Sequence, residues 1–194
     1  MKKLIILTSV SAFLLIHSAF AADTFVFDKA HSTMGFEVRH LFSNVPGKFN
    51  DFEGSINYDD ANPDQSSVEV TIKTASIDTG VKMRDDDLRS PNFFDAAKFP
   101  TITFKSKSVK STGKDTADVT GDLTMHGVTK EVVLKVDLIG KGTGMKPGSI
   151  VSGWDATTAL KRSDYGLTWN KVIEGTQVVG DDVKIELHVE ADKQ

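Results

Sequence analysis

Eight stretches of this chain alternate apolar and polar residues with a period of two, and that rhythm limits the possible folds more than any other feature. Met34, Phe36, Val38 and His40 alternate with Gly35, Glu37 and Arg39. Phe52, Gly54, Ile56 and Tyr58 do the same against Glu53, Ser55 and Asn57. The pattern repeats at Val68–Ile72, Ile102–Phe104, Val119–Met125, Val132–Leu138, Trp154–Leu160 and Val183–Val189. Side chains of a strand point alternately to its two faces, so each stretch reads as a strand dry on one side and wet on the other. Asn44–Gly47, Asp60–Asp64, Ser111–Asp115, His126-Gly127, Gly140–Gly148 and Gly180–Asp182 read as the turns between them. The spacing predicts an all-β fold of about eight antiparallel strands linked in sequence order. A sandwich and a closed barrel both use such strands. The barrel is preferred because the strands are long and no short, lysine-guarded edge strand stands out, and closure removes edges.

One segment, Thr79 to Pro100, breaks the alternation. Its charge and its Ser90-Pro91 pair predict a short helix near Val81–Leu88 and a second near Pro91–Ala96, with Ser90 as N-cap and Pro91 in the first turn. Asp85-Asp86-Asp87 reads as a solvated helix face. At the start of the chain, Lys2 and Lys3, an apolar run from Leu4 to Ile16, and Ala19-Phe20-Ala21 form the three parts of a secretory signal peptide. Residues 1–21 are therefore expected to be removed, leaving residues 22–194 as a single β-barrel domain in the periplasm. No later apolar run is long enough to span a bilayer.

Several function classes are disfavoured. The chain has no cysteine, which removes thiol nucleophiles, disulfides and cysteine metal sites. Its net charge of −4 comes without any basic cluster, which argues against nucleic acid as a partner. His31, His40, His126 and His188 lack metal-ligand spacing, and no nucleophile elbow, phosphate loop or zinc motif is present. The sequence predicts no catalytic residue, no metal and no cofactor. A barrel of eight strands either fills its interior with its own side chains or encloses one small ligand. The alternation alone leaves both possibilities open.

An ordered set of segments carries a resemblance. It comprises Asp28–Ser32, Gly35–Leu41, Gly47–Phe49, Phe52–Gly54, Ile77–Thr79, Arg84–Ser90, Phe93–Asp95, Lys98–Pro100 and Gly121–Lys130. Together they resemble the YceI-like family of bacterial periplasmic proteins, from about Asp23 to about Asp192. The resemblance implies a lipocalin-like antiparallel barrel holding a polyisoprenoid or related long-chain amphiphile, a homodimer, and a role in stress. It also implies that the ligand meets mostly apolar barrel-lining residues. The alternation phase supplies the candidates Phe36, Val38, Phe52, Ile56, Phe104, Leu134, Val136, Trp154, Leu160, Ile185 and Leu187. Arg84 and Arg89 are expected near a mouth, either meeting a phosphate head group or pairing with Asp85, Asp86, Asp87 or Asp95. The leading reading is a non-catalytic lipid carrier. The alternatives are a hydrolase or isomerase using dry-face groups such as His40 and Tyr58, and a stress protein whose barrel is a scaffold for partners.

Overall fold

The computed structural model describes residues 22–173 and 175–194, so the expected signal peptide at residues 1–21 lies outside the described residues. The strands are β1 (Asp23–Phe27), β2 (Thr33–His40), β3 (Ser43–Phe49), β4 (Phe52–Tyr58), β5 (Ser67–Lys73) and β6 (Ile77–Asp78). One helix, α1 (Lys82–Arg89), follows. Then come β7 (Thr101–Ser111), β8 (Thr116–Met125), β9 (Val128–Thr143), β10 (Ile150–Lys161), β11 (Val172–Ile173), β12 (Thr176–Gln177) and β13 (Val179–Lys193).

Strands β4, β5, β7, β8, β9, β10 and β13 pair in that order, all antiparallel, and β1 bridges β13 back to β4. These eight strands close a barrel. The wall forks at β13. One end of β13 pairs with β1, through Phe25↔Lys193 and Phe27↔Ala191. The other end pairs with β2, from Val183↔Val38 to His188↔Thr33, and β2 continues to β3 and β6. The alternation has its expected consequence. Phe25, Met34, Phe52, Ile102, Val189 and Ala191 are buried in one core cluster, and Phe104, Val119 and Leu134 in a second. Opposite charges pair across strands on the wet face, as in Lys105–Glu69 at 2.7 Å, Lys135–Asp118 at 2.8 Å and Lys107–Asp122 at 2.6 Å.

Several local expectations are corrected. Only the first helix forms. Residues 91–99 make successive turns instead, and Ser90 closes α1 rather than opening a second helix. Pro91 ends α1 by forcing the preceding residue out of the helical region, with Ser90 at φ −73°, ψ 169°, and the left-handed conformation of Asp95, at φ 45°, interrupts the segment that would have continued as the second helix. The acidic run is not uniformly solvated. Asp85 is buried and accepts hydrogen bonds from Thr79 N at 2.8 Å and Thr79 Oγ1 at 2.5 Å, tying the start of α1 to the chain before it.

Two expected turns lie inside strands, and the turn expected from Gly140 begins only after Thr143. Asn44–Gly47 belongs to β3, where Pro46 is opposite Glu37. Only Lys48 and Phe49 of β3 have a partner on the far side, in β6, so the missing N–H of Pro46 falls on an edge. Gly140 continues β9. The glycines there accompany a bulge at Gly153/Trp154, and the chain reverses only after Thr143. Gly180–Asp182 is likewise a bulge within β13, where the register with β2 slips between Val179 and Val183.

Candidate functional site

The inward-facing side chains leave an apolar lumen with two lobes. The first encloses about 190 Å³ and the second about 110 Å³. Of the candidates chosen by phase, Phe36, Val38, Leu160 and Ile185 line the first lobe. Ile56, Val136 and Trp154 line the second. Phe104, Leu134 and Leu187 line both. Phe52 has the inward phase but lines neither lobe; it packs into the core at 3 % exposure.

Space in the lumen depends on small residues beneath large ones. Gly47, Gly54 and Gly121 all take inward positions, and each is covered by a phenylalanine ring: Phe36, Phe27 and Phe104, respectively. A Cβ on Gly54 or Gly121 would come within 2.5 Å of a ring atom, and one on Gly47 would come closer still. Each ring therefore occupies room that a neighbouring side chain would otherwise take along the wall. The first lobe ends under Leu88 of α1, Phe93 and Phe94 of the following turns, and Leu167. The Phe93 ring packs against that of Trp169, tilted by 42° with centres 5.0 Å apart.

The second lobe ends at Tyr58, Pro63, Ser66 and Ser67. The Tyr58 ring meets Trp154 edge-on at 5.0 Å and carries the Lys141 ammonium 5.4 Å above its centre. Lys141 also pairs with Asp60. Burial, with Asp60, Asp115 and Asp59 nearby, raises the Tyr58 pKa above its ordinary value.

Arg162 is a site residue that the phase-based choice missed, although it continues the dry phase two places after Leu160. It is 8 % exposed and lines the first lobe. Its guanidinium donates to the carbonyls of Gly180 at 2.8 Å and Trp169 at 2.8 Å, and also to those of Leu167 and Val179. No carboxylate pairs with it among the described residues, and burial lowers its pKa from the usual arginine value. The bulge at Gly180–Asp182 presents the Gly180 carbonyl, and through it Arg162 ties Val179 and Gly180 to Leu167 and Trp169. Tyr165, in the same turn, is buried with a phenol pushed up to about 12 by burial.

Arg84 and Arg89 line neither lobe. Arg84 donates to Thr79 Oγ1 at 2.7 Å and to the Thr79 carbonyl at 2.8 Å. Arg89 donates to the carbonyls of Ala75 at 2.7 Å and Ile77 at 2.5 Å, with Asp86 at 3.2 Å as its ion-pair partner. Both guanidinium groups thus hold α1 against the segment around β6.

His40, expected on the dry face, is exposed at the end of β2. His126 Nδ1 lies 3.0 Å from the Tyr165 carbonyl, and the His126 ring packs edge-on against Phe99. His188 pairs with Asp155 on the wet face at 2.7 Å. His31 lies between Asp28 at 2.8 Å and Glu190 at 3.7 Å, a surface ion-pair cluster whose residues line neither lobe. Among the described residues, Tyr58 and Arg162 are the titratable side chains that line the lobes. The rest of the lining is apolar or uncharged.

A model of the YceI-like domain matches residues 25–191. A UPF0312 protein of Ectopseudomonas mendocina is 46% identical over 153 residues, covering 77% of this chain and 79% of that protein. The crystal structure of BcnA from Burkholderia cenocepacia superposes with a TM-score of 0.76 at 28% identity, covering 84% of this chain and 98% of that one. A polyisoprenoid binding domain from Saccharophagus degradans shares the fold with a TM-score of 0.65 at 16% identity, covering 89% of this chain and 99% of that one.

Proposed function

We propose that this chain, which belongs to the YceI-like domain family, is a periplasmic lipid-binding protein that holds the hydrocarbon tail of a polyisoprenoid or similar amphiphile inside its barrel, without catalysis. The observation that carries this reading is the two-lobed lumen, walled by Phe36, Ile56, Phe104, Leu134, Trp154 and Leu187 and placed in an otherwise close-packed barrel. Burying hydrocarbon there contributes ~0.8 kcal/mol per CH₂. The polyisoprenoid binding domain of Saccharophagus degradans, built on the same fold, supports the choice of tail. The Lys2–Ala21 pattern supports periplasmic residence. A homodimer belongs to the same reading, on the family resemblance. The lining supports the non-catalytic reading: the Arg162 guanidinium donates to backbone carbonyls, and burial raises the Tyr58 pKa.

Native mass spectrometry of the protein purified from its own periplasm tests this. A stoichiometric adduct with the mass of a long-chain lipid, released on unfolding, is the expected result. A protein that emerges empty and takes up no prenyl alcohol or fatty acid in vitro overturns the reading.

A further inference from the structure

We infer that a belt of five side chains between the two lobes, Met34, Val70, Phe104, Leu134 and Leu187, sets the length of hydrocarbon chain that the lumen accepts. This rests on the lipid-binding reading above. These five residues line both lobes, and they come from five different strands, β2, β5, β7, β9 and β13. They therefore surround the lumen where one lobe gives way to the other. Met34, Phe104 and Leu134 are 2, 8 and 9 % exposed, so the constriction is closely packed rather than open to water.

Size decides what this does. An apolar cavity of about 150 Å³ holds a molecule on the scale of benzene. Lobes of about 190 and 110 Å³ are each on that scale. A short chain fits one lobe and leaves the belt closed, whereas a tail of several isoprene units has to pass through it.

The belt is unevenly stiff. Phe104 is braced over Gly121, and Val70 is β-branched with restricted rotamers. Met34 is unbranched and adaptable, and it is the side chain suited to give way. Narrowing the belt should exclude long chains while sparing short ones. Widening it should favour long chains.

The test measures affinities of the folded mature protein for all-trans prenyl alcohols of two, three and four isoprene units, by displacement of a fluorescent fatty acid. Wild type is compared with Leu134→Phe and Met34→Ala, and Leu187→Phe repeats the narrowing from another strand should Leu134→Phe not fold. A methylene-scale change in such a pocket is worth about tenfold or more. The narrowed variant should lose that much affinity for the four-unit alcohol and nearly none for the two-unit alcohol, and Met34→Ala should shift the preference the other way. If wild type binds the series and the folded variants change all lengths alike, the belt has no such role and the lipid-binding reading stands. If wild type binds no member of the series, that reading falls and the belt falls with it.

Discussion

The ring of Phe36 rests on Gly47, its partner across β2 and β3, so closely that a Cβ on Gly47 would overlap the ring. The glycine is thus the floor on which the ring lies. Gly47→Ala should displace the ring toward the first lobe, with an overpacking cost of ~1–3 kcal/mol and weaker uptake of lipid. Gly140, where an added Cβ meets nothing within 4 Å, is the control. Gly140→Ala should stay within ~0.5 kcal/mol of wild type, as ordinary surface changes do. Urea unfolding of the two variants checks this; equal losses would mean that Phe36 does not depend on its glycine.

Leu134 and Lys135 are neighbours on opposite faces of β9. Leu134 is 9 % exposed in the lumen wall, and Lys135 pairs with Asp118 outside. Leu134→Glu places an unpaired charge in an apolar interior and should unfold the protein or abolish lipid uptake, since the lost packing alone is worth ~2–5 kcal/mol. Lys135→Glu breaks an exposed pair and should cost no more than ~1 kcal/mol without affecting uptake. Thermal unfolding with a lipid-binding assay separates the two faces, and similar losses in both variants would refute the phase of β9.

Arg84 and Arg89 donate to backbone carbonyls beside β6, so their removal should loosen α1 rather than alter recognition of a head group. Arg89→Gln leaves the Ala75 and Ile77 carbonyls short of a charged donor and should cost ~1.5–3 kcal/mol. Affinity for a prenyl phosphate and for its neutral alcohol should then fall together, if at all. A loss confined to the phosphate would instead assign the arginines to the ligand.

The Asp28 carboxylate beside His31 raises the imidazole pKa above the ordinary value, through their hydrogen bond first and their opposite charges second. A raised folded-state pKa means that the protonated form is favoured by folding. The contribution is therefore complete below the unfolded-state value of about 6.5 and disappears as the pH rises through the folded-state value. His31 is exposed, so the effect is local to the β1–β2 connection. Titration by NMR should show the His31 pKa falling toward the ordinary value in Asp28→Asn, with Glu190 and Asp192 still holding it somewhat raised; an unchanged titration would exclude the Asp28 pair as the main cause.

The strands were legible because one dry face imposes a period of two, and that period survives wherever a wall strand is regular. It also marked inward positions that became buried for different reasons: Leu134 faces space, while Phe52, equally in phase, is packed against the core. Phase reports direction and says nothing of depth along the barrel axis. Glycine misled where it served a bulge. Gly140 and Gly180 carry turn-like composition, yet the chain continues through both as strand. Arg162 was hidden by its charge. It stands in the dry phase, but its partners are carbonyls five to eighteen residues away, and no side-chain pattern announces a carbonyl.

The fork at β13 has a consequence for how the molecule comes together. β13 must pair with β10 on one side and with both β1 and β2 on the other, so the barrel is sewn shut by contacts between the two ends of the domain. The meander from β4 to β10 can form by local steps, but it stays an open sheet until that seam closes. Contacts so distant in sequence carry a large loop-closure cost and slow folding. Until they form, β13 offers an unpaired edge and the future lumen is exposed to water, the state in which strand proteins aggregate. The interval before the seam closes is thus the vulnerable period in the life of this chain, and a chaperone that protects it has to shield the β13 edge.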